Sequence, residues 1–191
     1  RIVKKEKIKK FILVGHSLGS LIVLNFIKCH QDLLKAAVLV SCDAAPGKRA
    51  VTKLILPVLY ISKIFHFLPQ IKKSGRHIDY EKEGYIGTGD WNVRRTIADM
   101  VNTGLRSDLF TMHYTLKFNL ETFLPQIKIP VLIIHGNRDT LFPIKSGIKL
   151  KNSIKNSKFV IFDKSDHIIV LNDLGKLSKE IDKFVNGLNK N

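Results

Sequence analysis

The stretch Phe11–Ser20, with the sequence FILVGHSLGS, decides how this chain of 191 residues is organised. Four apolar residues run directly into Gly-His-Ser-Leu-Gly, and apolar residues at helical spacing follow. A short apolar run bounded by glycine is typical of a buried strand, whereas a spacing of three and four residues is typical of a helix. We therefore predict a strand over residues 11–15, a tight turn at Ser17 and a helix over residues 18–30.

The turn at Ser17 has the features that a nucleophilic serine needs. A tight bend brings backbone segments close together, and Gly15 and Gly19 have no Cβ that would clash there. The first turn of a helix has N–H groups without intrahelical acceptors, so the N–H of Leu18 can face a developing oxyanion. The alternative is that Ser17 is an unreactive serine in an ordinary strand-to-helix turn.

The composition limits the classes of protein to which the chain can belong. Hydrophobic residues make up 45% of the chain and charged residues 25%, which is typical of one globular domain with a sizeable core. The formal net charge of +16 fits either a polyanionic partner or a lysine-rich solvated surface. Because the lysines are scattered and no basic motif interleaved with aromatic residues accompanies them, we favour the second interpretation and expect no specific nucleic-acid partner.

Cysteine and histidine usage bears on the compartment and on cofactors. Cys29 and Cys42 do not form a disulfide framework, and reduced thiols favour a cytoplasmic protein. No run reaches the roughly 18 apolar residues of a membrane span. Four histidines show no paired ligand spacing, so we expect no metal and no cofactor. These histidines are His30, His66, His77 and His113.

An alternation of strands and helices continues after the first helix and returns towards the C-terminus. Buried strands are predicted over residues 35–41, a short run that is apolar on both faces, and over residues 129–135, and a fourth strand is predicted over residues 158–162. Helices are predicted over residues 143–153 and 169–186.

Between the second and third predicted strands, the pattern changes to that of a helical insertion. We therefore divide the chain into a first core segment (1–47), an insertion (48–125) and a second core segment (126–191). Within the insertion, Val51–Leu68 is apolar almost all round, and Asp90 is expected to cap a helix.

Polar side chains that would complete a nucleophilic site follow the later strands. A serine hydroxyl needs a base within hydrogen-bond reach, and the base needs an acid that orients it. Asp139 follows the third strand and His167 follows the fourth. Since the carboxyl ends of parallel strands meet at one edge of a sheet, we expect both side chains on the same edge as Ser17. Asp43, just after the second strand, is a rival for the role of the acid.

With these residues in place, the chain resembles the α/β-hydrolase superfamily from the first strand to the C-terminus. The turn around Ser17 is similar to the family's nucleophile elbow, and the order serine, aspartate, histidine is the family's order. Residues 135–143 are similar to its acid loop and residues 165–173 to its histidine loop, although Asp166 stands where the family commonly has glycine. The resemblance implies an α/β fold: a partial α/β-hydrolase with a mostly parallel sheet flanked by helices. A helical cap is expected after the second visible strand.

The resemblance also implies a serine esterase of the carboxylesterase or monoacylglycerol-lipase type. Ser17 would be the nucleophile, His167 the general base and then the general acid, and Asp139 the acid that orients the imidazole. The N–H of Leu18 would bind the oxyanion. A serine at the centre of the elbow argues against the haloalkane dehalogenase and epoxide hydrolase branches, which have an aspartate there.

Substrate contacts are expected from the cap and from the loops around Ser17. The candidates are His16, Leu59, Phe65 and Leu141, and the partner that they favour is a small-molecule ester with an apolar acyl group. His16 alternatively hydrogen-bonds locally, and the apolar residues of the cap alternatively only pack against the core. A third interpretation is that Val51–Leu68 contacts a membrane surface.

The strands that precede the elbow strand in this superfamily have no counterpart in the sequence, which begins with Arg1. We therefore expect the chain to be the C-terminal portion of a hydrolase, with weak activity of its own and a second oxyanion donor from outside it. Two alternative functions remain: a hydrolase-like binding module without turnover, and an acyl or thioester transferase with the same triad.

Overall fold

The structure, a computed structural model, describes residues 2–48 and 78–188. Contacts within the chain divide it into two compact units. The first unit combines Arg1–Ala44 with Leu120–Asn191, and the second unit is Ala45–Asn119. In the described parts of the chain, no helix is both long and apolar enough to cross a bilayer.

The described elements alternate between strands and helices at both ends of the chain. In chain order they are α1 (Ile2–Lys5), β1 (Phe11–His16), α2 (Leu18–His30), a 3-10 helix (Gln31–Leu33), β2 (Leu34–Val40), a second 3-10 helix (Pro46–Lys48), α3 (Val93–Thr103), α4 (Leu105–Lys117), a third 3-10 helix (Glu121–Gln126), β3 (Val131–Gly136), α5 (Ile144–Ser153), β4 (Ser157–Phe162), α6 (Ile169–Asn172) and α7 (Leu174–Gly187).

The strands form one parallel four-stranded sheet in the order β1-β2-β3-β4. His16 at the end of β1 pairs with Val40, and Val40 pairs with Ile134 of β3. Ile134 pairs in turn with Val160 of β4. All four strands therefore point their carboxyl ends at one edge of the sheet. This confirms the predicted α/β class and the parallel sheet flanked by helices.

One face of the sheet packs against the C-terminal helices. Alternate side chains of a strand share a face, so every second apolar residue of β2 and β3 enters the same cluster. The cluster consists of Val38, Val40, Leu132, Ile134 and Phe162, with Ile169 of α6 and Leu177 of α7. Burial of these side chains holds the carboxyl ends of the strands in fixed register.

A buried hydroxyl connects α2 to β1 and β2. The Oγ of Ser20 lies 2.6 Å from the carbonyl oxygen of Gly15 and 3.0 Å from that of Val40. It also accepts a hydrogen bond from the N–H of Val40 at 3.1 Å. These contacts join the start of α2 to the ends of both strands, and this is the place where Ser17 lies.

The helix predicted over residues 169–186 is broken in two. Asp173, with φ −127° and ψ 29°, separates α6 from α7. Its carbonyl oxygen accepts from the N–H of Leu177, so Asp173 is the N-cap residue that precedes α7. The apolar spacing continues through the break, and for that reason the sequence predicted a single helix.

In the second unit, α3 begins differently from the prediction. The helix is capped by Asn92, whose side-chain oxygen accepts from the N–H of Arg95 at 2.9 Å, and the expectation that Asp90 caps it was wrong. The backbone carbonyl of Asp90 instead accepts from the buried guanidinium of Arg95 at 3.1 Å. Gly104, with φ 88°, separates α3 from α4.

Candidate active site

Ser17 lies in a strained turn between β1 and α2. Its φ of 53° and ψ of −118° are rare for a residue with a side chain. Its backbone N–H donates to the carbonyl of Val40 at 2.9 Å, which fixes the turn to the end of the neighbouring strand. Strain of this kind persists only where the surroundings enforce it, and it is concentrated at functional sites.

Close packing of the backbone explains one of the two glycines of the turn. A Cβ added to Gly15 would lie 2.5 Å from the carbonyl carbon and oxygen of Gly19. A Cβ added to Gly19 would have no heavy atom within 4 Å. The predicted steric requirement for glycine therefore holds at Gly15 and not at Gly19.

His167 lies opposite Ser17 on the loop that follows β4. Its Nε2 is 2.8 Å from the Oγ of Ser17, and its ring is almost wholly buried. The loop turns at Lys164, which has a φ of 66°. The lone pair of Nε2 can therefore accept the hydroxyl proton of Ser17 when the hydrogen of the ring is on Nδ1.

Asp139 faces that Nδ1 from the loop that follows β3. Its Oδ2 lies 2.9 Å from Nδ1 of His167, and its Oδ1 accepts from the N–H of Phe142 at 2.7 Å. The loop approaches the backbone of the histidine loop closely, because a Cβ added to Gly136 would lie 2.4 Å from the carbonyl oxygen of Ser165. The structure thus brings together the three residues that were predicted at separate strand ends.

Asp43, the rival acid, occupies a different position. It follows β2, and its Oδ2 accepts from the hydroxyl of Ser146 on α5 at 2.8 Å. The carboxylate that makes the hydrogen bond to His167 belongs to Asp139. The geometry therefore favours Asp139 for the role that the sequence left open between the two.

His16, which was assigned to substrate contacts, is engaged with the histidine loop. Its Nε2 donates to the backbone carbonyl of His167 at 2.7 Å, and the two rings lie with their centroids 5.1 Å apart. Burial lowers the pKa of His16 to about 4, although the hydrogen bond to His167 acts in the opposite direction. At neutral pH the ring is therefore uncharged and bridges β1 and the loop of His167.

Two neighbours of Asp139 were not predicted as site residues. His135 is fully buried at the end of β3, and its Nε2 donates to the carbonyl of Phe142 at 2.6 Å. The ring of Phe142 packs edge-on against His167, with centroids 5.2 Å apart. The sequence signal that could have indicated His135 is its place at the end of a predicted strand, four residues before the expected acid.

Asp166, which departs from the glycine that the α/β-hydrolase resemblance led us to expect, stabilises the histidine loop. Its Oδ1 accepts from the N–H of Ile168 at 2.9 Å, and its carboxylate also accepts from the side-chain amide of Asn172 at 3.2 Å. The carboxylate thus satisfies a backbone donor beside His167 and connects the loop to α6.

The remaining predicted site residues are Leu18, Leu141, Leu59 and Phe65. Leu18 is the first residue of α2, where N–H groups lack intrahelical acceptors. Leu141 is half-buried in the loop between Asp139 and Phe142. The two cap candidates, Leu59 and Phe65, lie outside the described residues.

Among the residues that the structure describes, no group of three or more histidine, cysteine, aspartate or glutamate side chains is arranged to hold a metal ion. The arrangement that is present is a hydroxyl, an imidazole and a buried carboxylate joined by two hydrogen bonds. Such a chain can remove a proton from the hydroxyl and stabilise the imidazolium that results.

Comparison with known proteins gives a family match over most of the chain. A family model described as serine aminopeptidase, S33, matches residues 1–174. The Arabidopsis thaliana protein "Probable lysophospholipase BODYGUARD 3" is 21% identical over 208 residues, which cover 89% of this chain and 40% of that protein. The AB hydrolase superfamily protein YisY of Bacillus subtilis (strain 168) is 35% identical over 68 residues, which cover 36% of this chain and 25% of that protein.

A solved structure supports the fold. The esterase EaEST from Exiguobacterium antarcticum has a TM-score of 0.71 at 19% identity, over 97% of this chain and 70% of that one. At this level of identity, the similarity establishes the fold. The chain spans less than half the length of the two curated relatives that it matches.

Proposed function

Because this chain belongs to the serine aminopeptidase S33 family of the α/β-hydrolase superfamily, we propose that it hydrolyses carboxylic esters through an acyl-enzyme formed on Ser17. In this proposal His167 is the general base and then the general acid, and Asp139 orients its imidazole. The N–H of Leu18 contributes to the oxyanion site.

The observation that carries the proposal is the continuous line of hydrogen bonds from Ser17 to Asp139. Ser17 Oγ and His167 Nε2 are 2.8 Å apart, and His167 Nδ1 and Asp139 Oδ2 are 2.9 Å apart. A serine hydroxyl is a weak nucleophile without such a base. The strained backbone of Ser17 and the burial of the Asp139 carboxylate both support a reactive site over a chance cluster.

In the first half of the reaction, Ser17 Oγ attacks the carbonyl carbon of the ester while its proton moves to Nε2 of His167. The carbonyl oxygen becomes an oxyanion near the first turn of α2, where N–H groups and the positive end of the helix dipole stabilise negative charge. The intermediate collapses, the bond between the acyl carbon and the alcohol oxygen breaks, and His167 returns the proton to the leaving alcohol.

In the second half, water replaces the alcohol. His167 takes a proton from the water as its oxygen attacks the acyl carbon, and the second intermediate releases the carboxylic acid. The proton on His167 passes back to Ser17 Oγ. Throughout, the anionic carboxylate of Asp139 faces Nδ1 and stabilises the imidazolium.

The substrate class rests on chemistry and on similarity. The names of the similar proteins include an esterase and a lysophospholipase, which act on ester bonds. The ring of Phe142, on the loop that carries Asp139, packs against His167, and Leu141 lies half-buried beside it in the sequence. We therefore propose a small-molecule ester with an apolar acyl group.

The test is hydrolysis of p-nitrophenyl esters from acetyl to palmitoyl by the purified protein. We expect turnover that disappears in Ser17→Ala and persists in Ser178→Ala, since Ser178 is an exposed serine of α7. The dependence of kcat/KM on acyl length shows which length of acyl chain the site accepts. A folded protein without turnover for any ester would contradict the proposal and favour a binding module. Faster product release when an alcohol is added would favour acyl transfer.

The description of the matching family favours a second candidate, the removal of an N-terminal amino acid from a peptide. Ser17 Oγ would attack the carbonyl carbon of the amide with the help of His167 and Asp139, the bond from that carbon to the amide nitrogen would break, and the leaving amine would take the proton from His167. Hydrolysis of aminoacyl p-nitroanilides, blocked and unblocked at the amino group, separates the two. Activity confined to the unblocked amides would favour the aminopeptidase.

A further inference from the structure

A second histidine lies beside Asp139. The ring of His135 is fully buried at the end of β3, and its Nε2 lies 3.4 Å from Oδ2 of Asp139. This is the oxygen that faces Nδ1 of His167 at 2.9 Å. One carboxylate oxygen of Asp139 is therefore near two imidazoles, and the mechanism described above uses one of them.

The hydrogen of His135 is on the nitrogen that faces the acid loop. A carbonyl oxygen can only accept, so the 2.6 Å contact between Nε2 and the carbonyl of Phe142 requires a hydrogen on Nε2. Oδ2 of Asp139 lies 3.4 Å from the same nitrogen, which is longer than an ordinary hydrogen bond. The N–H of Phe142 donates in turn to Oδ1 of Asp139 at 2.7 Å. His135 therefore acts on the carboxylate through Phe142, whose carbonyl accepts from the imidazole and whose N–H donates to the acid.

The second ring nitrogen of His135, Nδ1, argues against a role for this side chain in packing alone. Burial lowers the pKa of His135, so the ring is neutral and Nδ1 has a bare lone pair. Within residues 2–48 and 78–188, this buried Nδ1 has no hydrogen-bond partner. Burial of an unsatisfied polar atom costs stability, which an apolar side chain at this position would avoid.

The helix α5 leaves room for the ring. A Cβ added to Gly147 would lie 2.9 Å from Nδ1 of His135 and 2.9 Å from the ring of Phe159. A glycine in a helix interior is itself unfavourable compared with alanine. Two unfavourable features, the bare Nδ1 and Gly147, therefore accompany the imidazole that donates to the acid loop.

We infer that His135 is a positioning residue, whose Nε2–H holds Phe142 and, through the N–H of Phe142, keeps the carboxylate of Asp139 in line with His167. This inference rests on the proposed function. The imidazole of His135 makes no hydrogen bond to Ser17 or His167 and acts through Phe142 and Asp139. Displacement of a catalytic group by about 1 Å can cost on the order of a hundredfold in rate, so loss of this donor should reduce kcat without a comparable change in KM.

The experiment compares two substitutions at this position. In His135→Gln, the side-chain amide can donate from nearly the same place as Nε2, whereas His135→Leu removes the donor. For Leu we expect a fall in kcat of about tenfold or more with KM changed by less than about twofold, and for Gln a fall of about threefold or less. Thermal unfolding of each variant gives the temperature range in which both are folded.

A purely structural role predicts a different result. In that case Leu and Gln lower the unfolding temperature while the kcat of the folded protein stays within about twofold of the wild type, and this outcome would overturn the inference. Equal loss of kcat in both variants would overturn it as well. If His135→Leu does not fold, Gly147→Ala displaces the same ring without removing its chemistry. An unchanged kcat in that variant would contradict the role.

A spectroscopic readout separates this inference from the proposed function. The hydrogen between His167 Nδ1 and Asp139 should give a far-downfield proton resonance whether or not an ester is turned over. We expect this resonance to persist in His135→Gln and to shift or disappear in His135→Leu. An unchanged resonance in the Leu variant overturns the positioning role. Absence of turnover in a wild type that shows the resonance overturns the proposed function alone.

Discussion

His16 and His167, at opposite ends of the chain, are joined by a hydrogen bond of 2.7 Å from the imidazole Nε2 of His16 to the backbone carbonyl of His167. The rings lie with their centroids 5.1 Å apart. Because β1 carries His16 next to Ser17, this bond ties the loop of the proposed base to the strand that positions the proposed nucleophile. The distance between Ser17 and His167 therefore depends on a third side chain.

Substitution of His16 tests this dependence. We expect His16→Phe, which keeps a ring but removes the donor, to lower kcat for an ester about tenfold, because the loop of His167 loses its tie to β1. His16→Gln retains a donor and should stay within about threefold of the wild type. The measurement is kcat and KM for each folded variant and for the wild type, by steady-state kinetics. If the two variants changed KM and left kcat alone, His16 would be a substrate contact, as the sequence first indicated.

The buried His16 also predicts a dependence of stability on pH. The unfolded chain binds a proton on this imidazole near pH 6.5, whereas the pKa in the folded state is about 4. The contribution of His16 to the free energy of unfolding is therefore complete above pH 6.5. It is lost as the pH falls towards about 4, by up to about 3 kcal/mol.

Urea unfolding of the wild type and of His16→Gln, at a pH of about 7 and of about 4, measures this contribution. We expect the wild type to lose more stability than the variant over that interval. The lowered pKa of His135 acts in the same direction but is common to both proteins. An equal loss in the two proteins would show that His16 does not carry the effect.

The choice between two acids gives a prediction with a built-in control. Asp139→Asn should lower kcat by on the order of 10³–10⁴, because the amide cannot hold His167 in the tautomer that accepts from Ser17. Asp43→Asn keeps an oxygen that can accept from Ser146 and should stay within about twofold. A large fall in kcat for Asp43→Asn, with Asp139→Asn close to the wild type, would reverse the assignment.

The two glycines of the elbow should respond differently to alanine. In Gly15→Ala the new Cβ lies 2.5 Å from the backbone of Gly19. Because relieving this clash requires the backbone to move, we expect the free energy of unfolding to fall by about 1–3 kcal/mol or more. In Gly19→Ala the new Cβ meets nothing within 4 Å at the start of a helix. We expect that variant to be as stable as the wild type or up to about 1 kcal/mol more stable.

Denaturant unfolding of both variants provides the measurement. Equal stabilities for Gly15→Ala and Gly19→Ala would mean that the elbow is less tightly packed than the contact between Gly15 and Gly19 implies.

The fold could be predicted to the extent that it depends on local pattern. Each strand is a short apolar run, and parallel strands collect their carboxyl ends at one edge, so the neighbourhood of Ser17, Asp139 and His167 followed from chain order. The break at Asp173 could not be predicted, because the apolar spacing of one helix runs through it.

The contacts that support the site were harder to predict. His16 and His135 each donate to a backbone carbonyl of a distant or looped segment, and such a bond leaves no spacing in the sequence. Phe142 contacts its neighbours through its N–H, its carbonyl and its ring, of which the sequence displays only the last. Asn92 and Asp90 are both suitable capping residues, and the path of the preceding loop determines that Asn92 is the one next to the first turn of α3.

The most direct test of the central claim is covalent labelling of the folded protein by a fluorophosphonate, followed by intact mass and peptide mapping. The account predicts one adduct on Ser17, no adduct in Ser17→Ala, and normal labelling in Ser178→Ala. Absence of labelling in the folded wild type, or an adduct that persists in Ser17→Ala, would contradict the claim that Ser17 is an activated nucleophile.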